Sequence, residues 1–155
     1  MRVHLGSDHA GFALKQALLV RLAELGHDAV DHGPETFEPA DDYPPFVLRA
    51  ALSAAADPDG CGVVIGGSGN GEAMAANKVA GVRCALVWSL ETADLARQHN
   101  NANVVSVGAR MHDEATALEL IERFLATPFS RDPRHQRRID MLTAYEATGA
   151  LPDLP

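Results

Sequence analysis

Four glycines fall within Gly66-Gly67-Ser68-Gly69-Asn70-Gly71, directly after the apolar run Cys61-Gly62-Val63-Val64-Ile65 and just before Glu72. Such a run lets a chain leave a buried strand with positive φ and close backbone approach. Its N–H groups, together with a helix N-terminus, can cradle an anion or a developing oxyanion. A carboxylate beside such a cradle could remove a proton from carbon next to a carbonyl, because the cradle would stabilise the enediolate that forms. The same residues also admit a plainer reading. Gly69 can be the N-cap of a tight strand-to-helix turn and Glu72 its acidic capping partner, with the helix dipole keeping the carboxyl pKa low. The loop is no standard nucleotide-binding motif: no Lys follows it as in GxxxxGK, and counting from Gly67 the sixth place of GxGxxG is Glu72.

Other reactive residues gather at similar junctions. Ser7-Asp8-His9 follows a first β-branched run, Gly108-Ala109-Arg110 follows Val104 to Val107, and His99-Asn100-Asn101 precedes that run. Of the seven histidines, His4 reads as a satisfied core residue and His27, His32 and His112 as turn residues. His9, His99 and His135 have polar companions, and a histidine at His99 could shuttle a proton at a sugar ring oxygen. No His/Asp/Glu spacing resembles a metal-binding helix, so no metal and no cofactor is expected. Cys61 and Cys84 read as buried apolar residues.

Elements must bring these residues together, and their order is that of a parallel α/β sheet. Strands are predicted over about 3–6, 29–32, 61–65, 82–88 and 104–107. Helices are predicted over about 11–25, 46–56, 72–79, 91–99 and 113–126, the first with Leu14, Leu18, Leu22 and Leu25 on one face. The all-apolar third strand is expected at the sheet centre. In such sheets ligands bind beyond the C-terminal ends of the strands, where the Asp8, Ser68 and Arg110 segments should lie; His99 joins them only if its connection folds back. After Thr127-Pro128 a further helix is predicted over about 131–145, within a C-terminal extension of about 128–150 that reaches toward a second subunit.

Charge and length narrow the classes. Residues 1–155 suit one domain. The formal net charge is −8, which argues against nucleic acid or an anionic membrane as partner. Lys15 and Lys78 are the only lysines, whereas four arginines crowd into residues 131–138. Arg134 and Arg138 share a helical face, as a solvated surface or as a clamp for a small phosphate. No apolar run approaches the roughly 18 residues of a membrane span, and the N-terminus lacks a leader's apolar core. With two cysteines only, a reducing, cytoplasmic setting is expected.

Taken together, Gly6-Ser7-Asp8-His9-Ala10-Gly11, Asp42-Tyr43-Pro44, Gly67-Ser68-Gly69-Asn70-Gly71 with Ala75-Ala76-Asn77-Lys78, Arg97-Gln98-His99-Asn100, Gly108-Ala109-Arg110 and Arg134-His135-Gln136-Arg137-Arg138 resemble the ribose-5-phosphate isomerase B family, which includes galactose-6-phosphate isomerase subunits. The resemblance spans essentially the whole chain. It implies a Rossmann-like three-layer α/β/α sandwich with a five-stranded parallel sheet. It also implies a homodimer or higher homo-oligomer with active sites shared between subunits, and metal-free aldose–ketose isomerisation through an enediolate.

By the resemblance, Asp8 and His9 flank the sugar phosphate and Tyr43 borders the pocket. Ser68, with the Gly67, Gly69, Asn70 and Gly71 backbone, holds the reacting oxygens. His99 assists ring opening and Asn100 helps stabilise the intermediate. Arg110, Arg134, His135 and Arg138 are expected near the phosphate, some from the neighbouring chain. Many family members place a catalytic Cys where this chain has Gly66; a second branch uses a Glu at the place of Glu72. That makes Glu72 the expected base, with ribose 5-phosphate and ribulose 5-phosphate as the expected pair. Tetrose 4-phosphate, allose 6-phosphate or galactose 6-phosphate as substrate, or a non-catalytic sugar-phosphate-binding module, are the alternatives.

Overall fold

The structure, a computed structural model, describes residues 1–154. The elements follow in the order β1 (Arg2–Ser7), α1 (Phe12–Glu24), β2 (Asp28–Asp31), α2 (Pro44–Ala56), β3 (Cys61–Gly66), α3 (Asn70–Ala76), β4 (Cys84–Leu86), α4 (Leu90–Asn100), β5 (Val104–Gly108), α5 (Glu114–Ala126) and α6 (Pro133–Thr148). The strands form one sheet in the order β2-β1-β3-β5-β4, every pair parallel. Leu5, Val63, Val105 and Ala85 stand side by side across it.

Alternation along the strands divides the core into two layers. Val3, Leu5, Val63, Ile65, Val105 and Val107 face one way and bury Leu14, Leu18 and Leu22 of α1 and Ile121 and Phe124 of α5. Val64 and Val104 face the other way, against Val47, Ala50 and Ala51 of α2 and Ala76 of α3. The result is a Rossmann-like α/β/α sandwich, with β3 central and buried along its whole length. Small alanines on α2 let that helix lie close to the sheet, so close that a Cβ on Gly6 would come 2.7 Å from the Phe46 carbonyl oxygen.

Several boundaries differ from the sequence reading, each for a local reason. Helix α2 begins at Pro44, because a proline in the first turn forfeits no hydrogen bond. Helix α3 occupies 70–76 and not 72–79, since Gly69 already serves as its left-handed N-cap. Strand β4 keeps three residues of the predicted seven; it is an edge strand, and the Asn77 amide takes both the N–H and the carbonyl of Cys84 at 2.9 Å. Leu25 lies past the end of α1 and is exposed, while Leu120 joins the inward face of α5. Arg131 has φ 55° and stays outside α6, which starts after the Asp132 N-cap and runs to Thr148. Helix α6 buries only His135 and Ile139, packs on α4, and leaves Met141, Leu142 and Tyr145 exposed.

Candidate active site

The strand order reverses its direction of growth between β1 and β3, which opens a crevice beyond their C-terminal ends. Asp8, directly after β1, is buried there. Its Oδ1 accepts the N–H groups of Ala10 (2.9 Å) and Gly11 (3.2 Å), the turn that starts α1. Its Oδ2 lies 3.9 Å from His9 Nδ1. His9 is held more tightly from the other side: its backbone N–H donates to Asp41 Oδ1 at 2.8 Å, and its Nδ1 lies 2.9 Å from the same oxygen. The hydrogen bond to Asp41 raises the His9 pKa above the ordinary histidine value; burial opposes the shift and the Asp8 charge adds to it.

The glycine loop is fastened to β5 and to the residues that follow it. Ala109 N–H donates to the Gly66 carbonyl at 2.8 Å, and Arg110 N–H to that of Gly67 at 3.1 Å. The buried Ser106 hydroxyl donates to the Gly69 carbonyl at 2.7 Å. Gly69 has φ 79°, and a Cβ there would come 2.7 Å from Leu86 and 3.0 Å from the Val107 backbone, so only glycine fits. Ser68 Oγ accepts the Asn70 N–H at 3.3 Å. Tyr43, the residue before α2, lies on Gly71: a Cβ on that glycine would meet the phenol oxygen at 2.8 Å. The Arg110 guanidinium passes over Gly67 and remains exposed.

Glu72 is 4% exposed, in the first turn of α3. Its carboxylate lies against the α-carbon of Gly66, where a Cβ would overlap it. Burial pushes its pKa above the usual carboxylate range; its own backbone N–H opposes the shift and the Asp8 charge adds to it. This corrects the expectation of a low pKa from the helix dipole. A seven-residue helix has too small a dipole to offset the loss of water around the carboxylate.

His99 and Asn100 stand elsewhere. Helix α4 ends with Asn101 in the left-handed region at φ 43°, and β5 begins at Val104, so the connection does not fold back. Arg83 donates to the carbonyls of Asn100 (2.9 Å) and Asn101 (2.8 Å), and Gly62 N–H reaches the Asn103 carbonyl at 2.8 Å. This corner therefore belongs to the starts of β3, β4 and β5, a strand length of about 17 Å from the rim that carries Glu72. The His99 and His135 rings lie against each other, centroids 4.1 Å apart and planes tilted by 38°. Buried His135 meets Ser130 Oγ at 2.9 Å and Arg134 Nη2 at 3.3 Å. Arg134 and Arg138 are exposed on the first turns of α6. Arg97 locks the corner together: it donates to the Ala102 carbonyl and to that of Thr127 (3.2 Å), and lies over the Phe124 ring.

One chain thus brings Asp8, His9, Tyr43, Gly67, Ser68, Gly69, Asn70, Gly71, Glu72 and Arg110 to one rim. It brings His99, Asn100, Arg134, His135 and Arg138 to the other. A cleft of about 390 Å³ lined by Ser68, Asn70, Trp88, Gly108, Met111 and His112 opens beside the glycine loop. The Cys84 thiol is pushed up to about 12 and the Cys61 thiol is also raised, both by burial, which leaves neither reactive. Among the described residues no three His, Cys, Asp or Glu side chains are grouped to hold a metal, and no helix is long and apolar enough to cross a membrane. Asp41 was not among the residues expected in the site. In the sequence it is one of two adjacent aspartates in an acidic loop, and no spacing marks it out from Asp42, which is exposed.

The fold and this rim define a class: a Rossmann-like enzyme with a buried carboxylate beside a glycine-rich loop at the switch point of its sheet. The chain belongs to the Ribose/Galactose Isomerase family, which it matches over residues 3–142. It is 56% identical over its full length to the ribose-5-phosphate isomerase B of Mycolicibacterium paratuberculosis, covering 98% of that protein. It is 34% identical to that of Escherichia coli, with 94% of this chain and 96% of the relative aligned. Among solved structures, it is similar to ribose-5-phosphate isomerase B from Mycoplasma genitalium with bound ribulose-5-phosphate (TM-score 0.91, 40% identity, covering 95% of this chain and 97% of the other). It is also similar to the type B enzyme of Trypanosoma cruzi (TM-score 0.90, 44% identity, covering 96% and 98%).

Proposed function

We propose that this chain interconverts ribose 5-phosphate and ribulose 5-phosphate through an enediolate, as one cytoplasmic isomerase domain assembled into a homodimer or higher homo-oligomer. The observation that carries the mechanism is the buried Glu72 carboxylate beside the glycine loop. The substrate pair rests on the relatives, one of whose structures holds ribulose-5-phosphate.

His99 of a second copy opens the sugar ring by moving the proton between ring oxygen and hydroxyl. Glu72 then takes the proton from carbon 2 of the open-chain aldose, the electron pair forming the carbon–carbon double bond of the enediolate while the carbonyl oxygen becomes an oxyanion. Ser68 and the backbone N–H groups of residues 67–71, with Asn100 of the second copy, stabilise that oxyanion. Within the cis-enediolate the hydroxyl proton on oxygen 2 passes to oxygen 1, the protonated Glu72 returns its proton to carbon 1, and the carbonyl re-forms at carbon 2 to give the ketose. The Glu72 pKa, raised by burial, suits this double duty, since a less acidic carboxyl is a better base and holds the proton it must return. Asp8, His9, Tyr43 and Arg110 surround the substrate, with Arg134, His135 and Arg138 of the second copy toward the phosphate. The split of the site residues between opposite rims supports a site built from two copies.

Proton NMR in deuterium oxide tests the reading. EDTA-treated protein is given ribose 5-phosphate, and in parallel erythrose 4-phosphate, allose 6-phosphate and galactose 6-phosphate. Turnover of ribose 5-phosphate fastest, with deuterium entering carbon 2 of the aldose or carbon 1 of the ketose, is the expected result. Faster turnover of another sugar phosphate changes the substrate, and binding without turnover leaves only a binding module.

A further inference from the structure

We infer that Asp41 is a positioning residue for this reaction, holding the His9 imidazole in one orientation and one tautomer with Nε2 as its free edge. The inference rests on the isomerase reading of the same site. One oxygen of Asp41 takes both the backbone N–H and Nδ1 of His9, at 2.8 and 2.9 Å, which fixes the ring against rotation. A carboxylate oxygen only accepts, so Nδ1 carries the hydrogen and Nε2 is left to face the substrate. Among the described residues Nε2 has no hydrogen-bond partner of its own.

Asp41 is not a solvated surface acid. Its side chain is only 10% exposed, and its Oδ2 is buried with no partner among the described residues. A buried carboxylate oxygen without a partner carries an uncompensated desolvation cost, and the hydrogen bonds from His9 to the other oxygen are what offset it. The loop that carries it is anchored on both sides. Fully buried Lys15 binds both oxygens of Asp31 and the Pro34 carbonyl at 2.6–2.7 Å, Phe37 packs edge-on against Phe12, and Tyr43 rests on Gly71. Among the described residues, the charged groups that shift the His9 ring are Asp41 and Asp8, and both favour its cationic form. A cationic Nε2–H in a fixed place is suited to a phosphate or ring oxygen of the sugar.

Asp41→Ala and Asp41→Asn are compared with the full-length wild type by imidazole nitrogen NMR and by ribose 5-phosphate kinetics. In Asp41→Ala we expect His9 to titrate at lower pH and to lose its single tautomer. We also expect KM to rise about tenfold, starting its climb with pH earlier, while kcat changes less than about threefold. Asn keeps an acceptor oxygen without the charge; it should keep the tautomer and recover part of the affinity, and it carries the test should the Ala variant fold poorly. Unchanged His9 titration and tautomer in both variants overturns the inference, as does a shifted titration with unchanged KM. Absence of turnover in the wild type overturns the isomerase reading and the role with it, while the NMR signals still report whether the contact exists.

Discussion

The Glu72 carboxylate fills the space into which a side chain on Gly66 would project; a Cβ on residue 66 would overlap its Oε1 and carboxyl carbon. Gly66 closes β3 and Glu72 lies in the first turn of α3, so the loop between them doubles back on itself. Two chain positions therefore address one point at the rim of the sheet. A side chain at 66 would leave no room for a glutamate reaching in from 72 in this way.

Gly66→Ala should therefore act as a mutation of Glu72. We expect activity to fall at least about a hundredfold, because the methyl displaces the carboxylate. Combined with Glu72→Ala, the same methyl should cost little further stability or activity, a strong non-additivity. Kinetics and urea denaturation of the two single variants and the double variant measure it; additive losses would contradict the overlap.

Glu72→Gln should retain sugar-phosphate binding and lose about 10²–10⁴ in kcat. It should also stabilise the protein. A carboxyl whose pKa rises on folding binds its proton more tightly in the native state, so wild-type stability falls as pH climbs from the ordinary glutamate range through the raised native value. The Gln variant escapes this loss. Its Tm should exceed the wild type's by roughly 2–5 °C at pH 7, with the difference vanishing below about pH 4. Melting curves at the two pH values decide it.

A site shared between copies predicts complementation. Glu72→Gln and His99→Asn should each be inactive, yet equal amounts unfolded and refolded together should recover about one quarter of wild-type activity. Half of the mixed dimers are then hybrids, and one of the two sites in each hybrid has both native residues. No recovery from correctly sized dimers would place both residues in a site of one chain.

Lys15 has no exposed side-chain surface, and its ammonium is held by Asp31 and the Pro34 carbonyl. Asp31→Asn leaves that charge buried without its counter-ion and should cost about 3 kcal/mol. Adding Lys15→Met should restore much of the loss, since a neutral apolar chain fits the same volume. Urea unfolding of the single and double variants checks both statements.

Much of this protein follows from local pattern. The alternation of β-branched runs with helical periods, the all-apolar Cys61–Ile65 run and the glycines after it specify a parallel α/β sandwich with a loop at its central strand, because side-chain period and turn chemistry act over a few residues. The candidate residues at both rims were legible for the same reason, through short motifs. Tertiary structure decided the rest. Whether β4 extends past Leu86 depends on what covers a sheet edge, and the chain answers with Asn77. Whether Glu72 is a strong or a weak acid depends on how much water the fold removes from it, which overrides the helix dipole that the sequence suggests. Asp41 and Asp42 are chemically identical neighbours, and only the path of the loop back to β1 places one of them on His9. The separation of Glu72 from His99 comes from the parallel sheet itself, in which the end of a helix and the end of a strand lie at opposite rims. Burial, charge environment and distance between remote segments are properties of the assembled packing, and no window of sequence contains them.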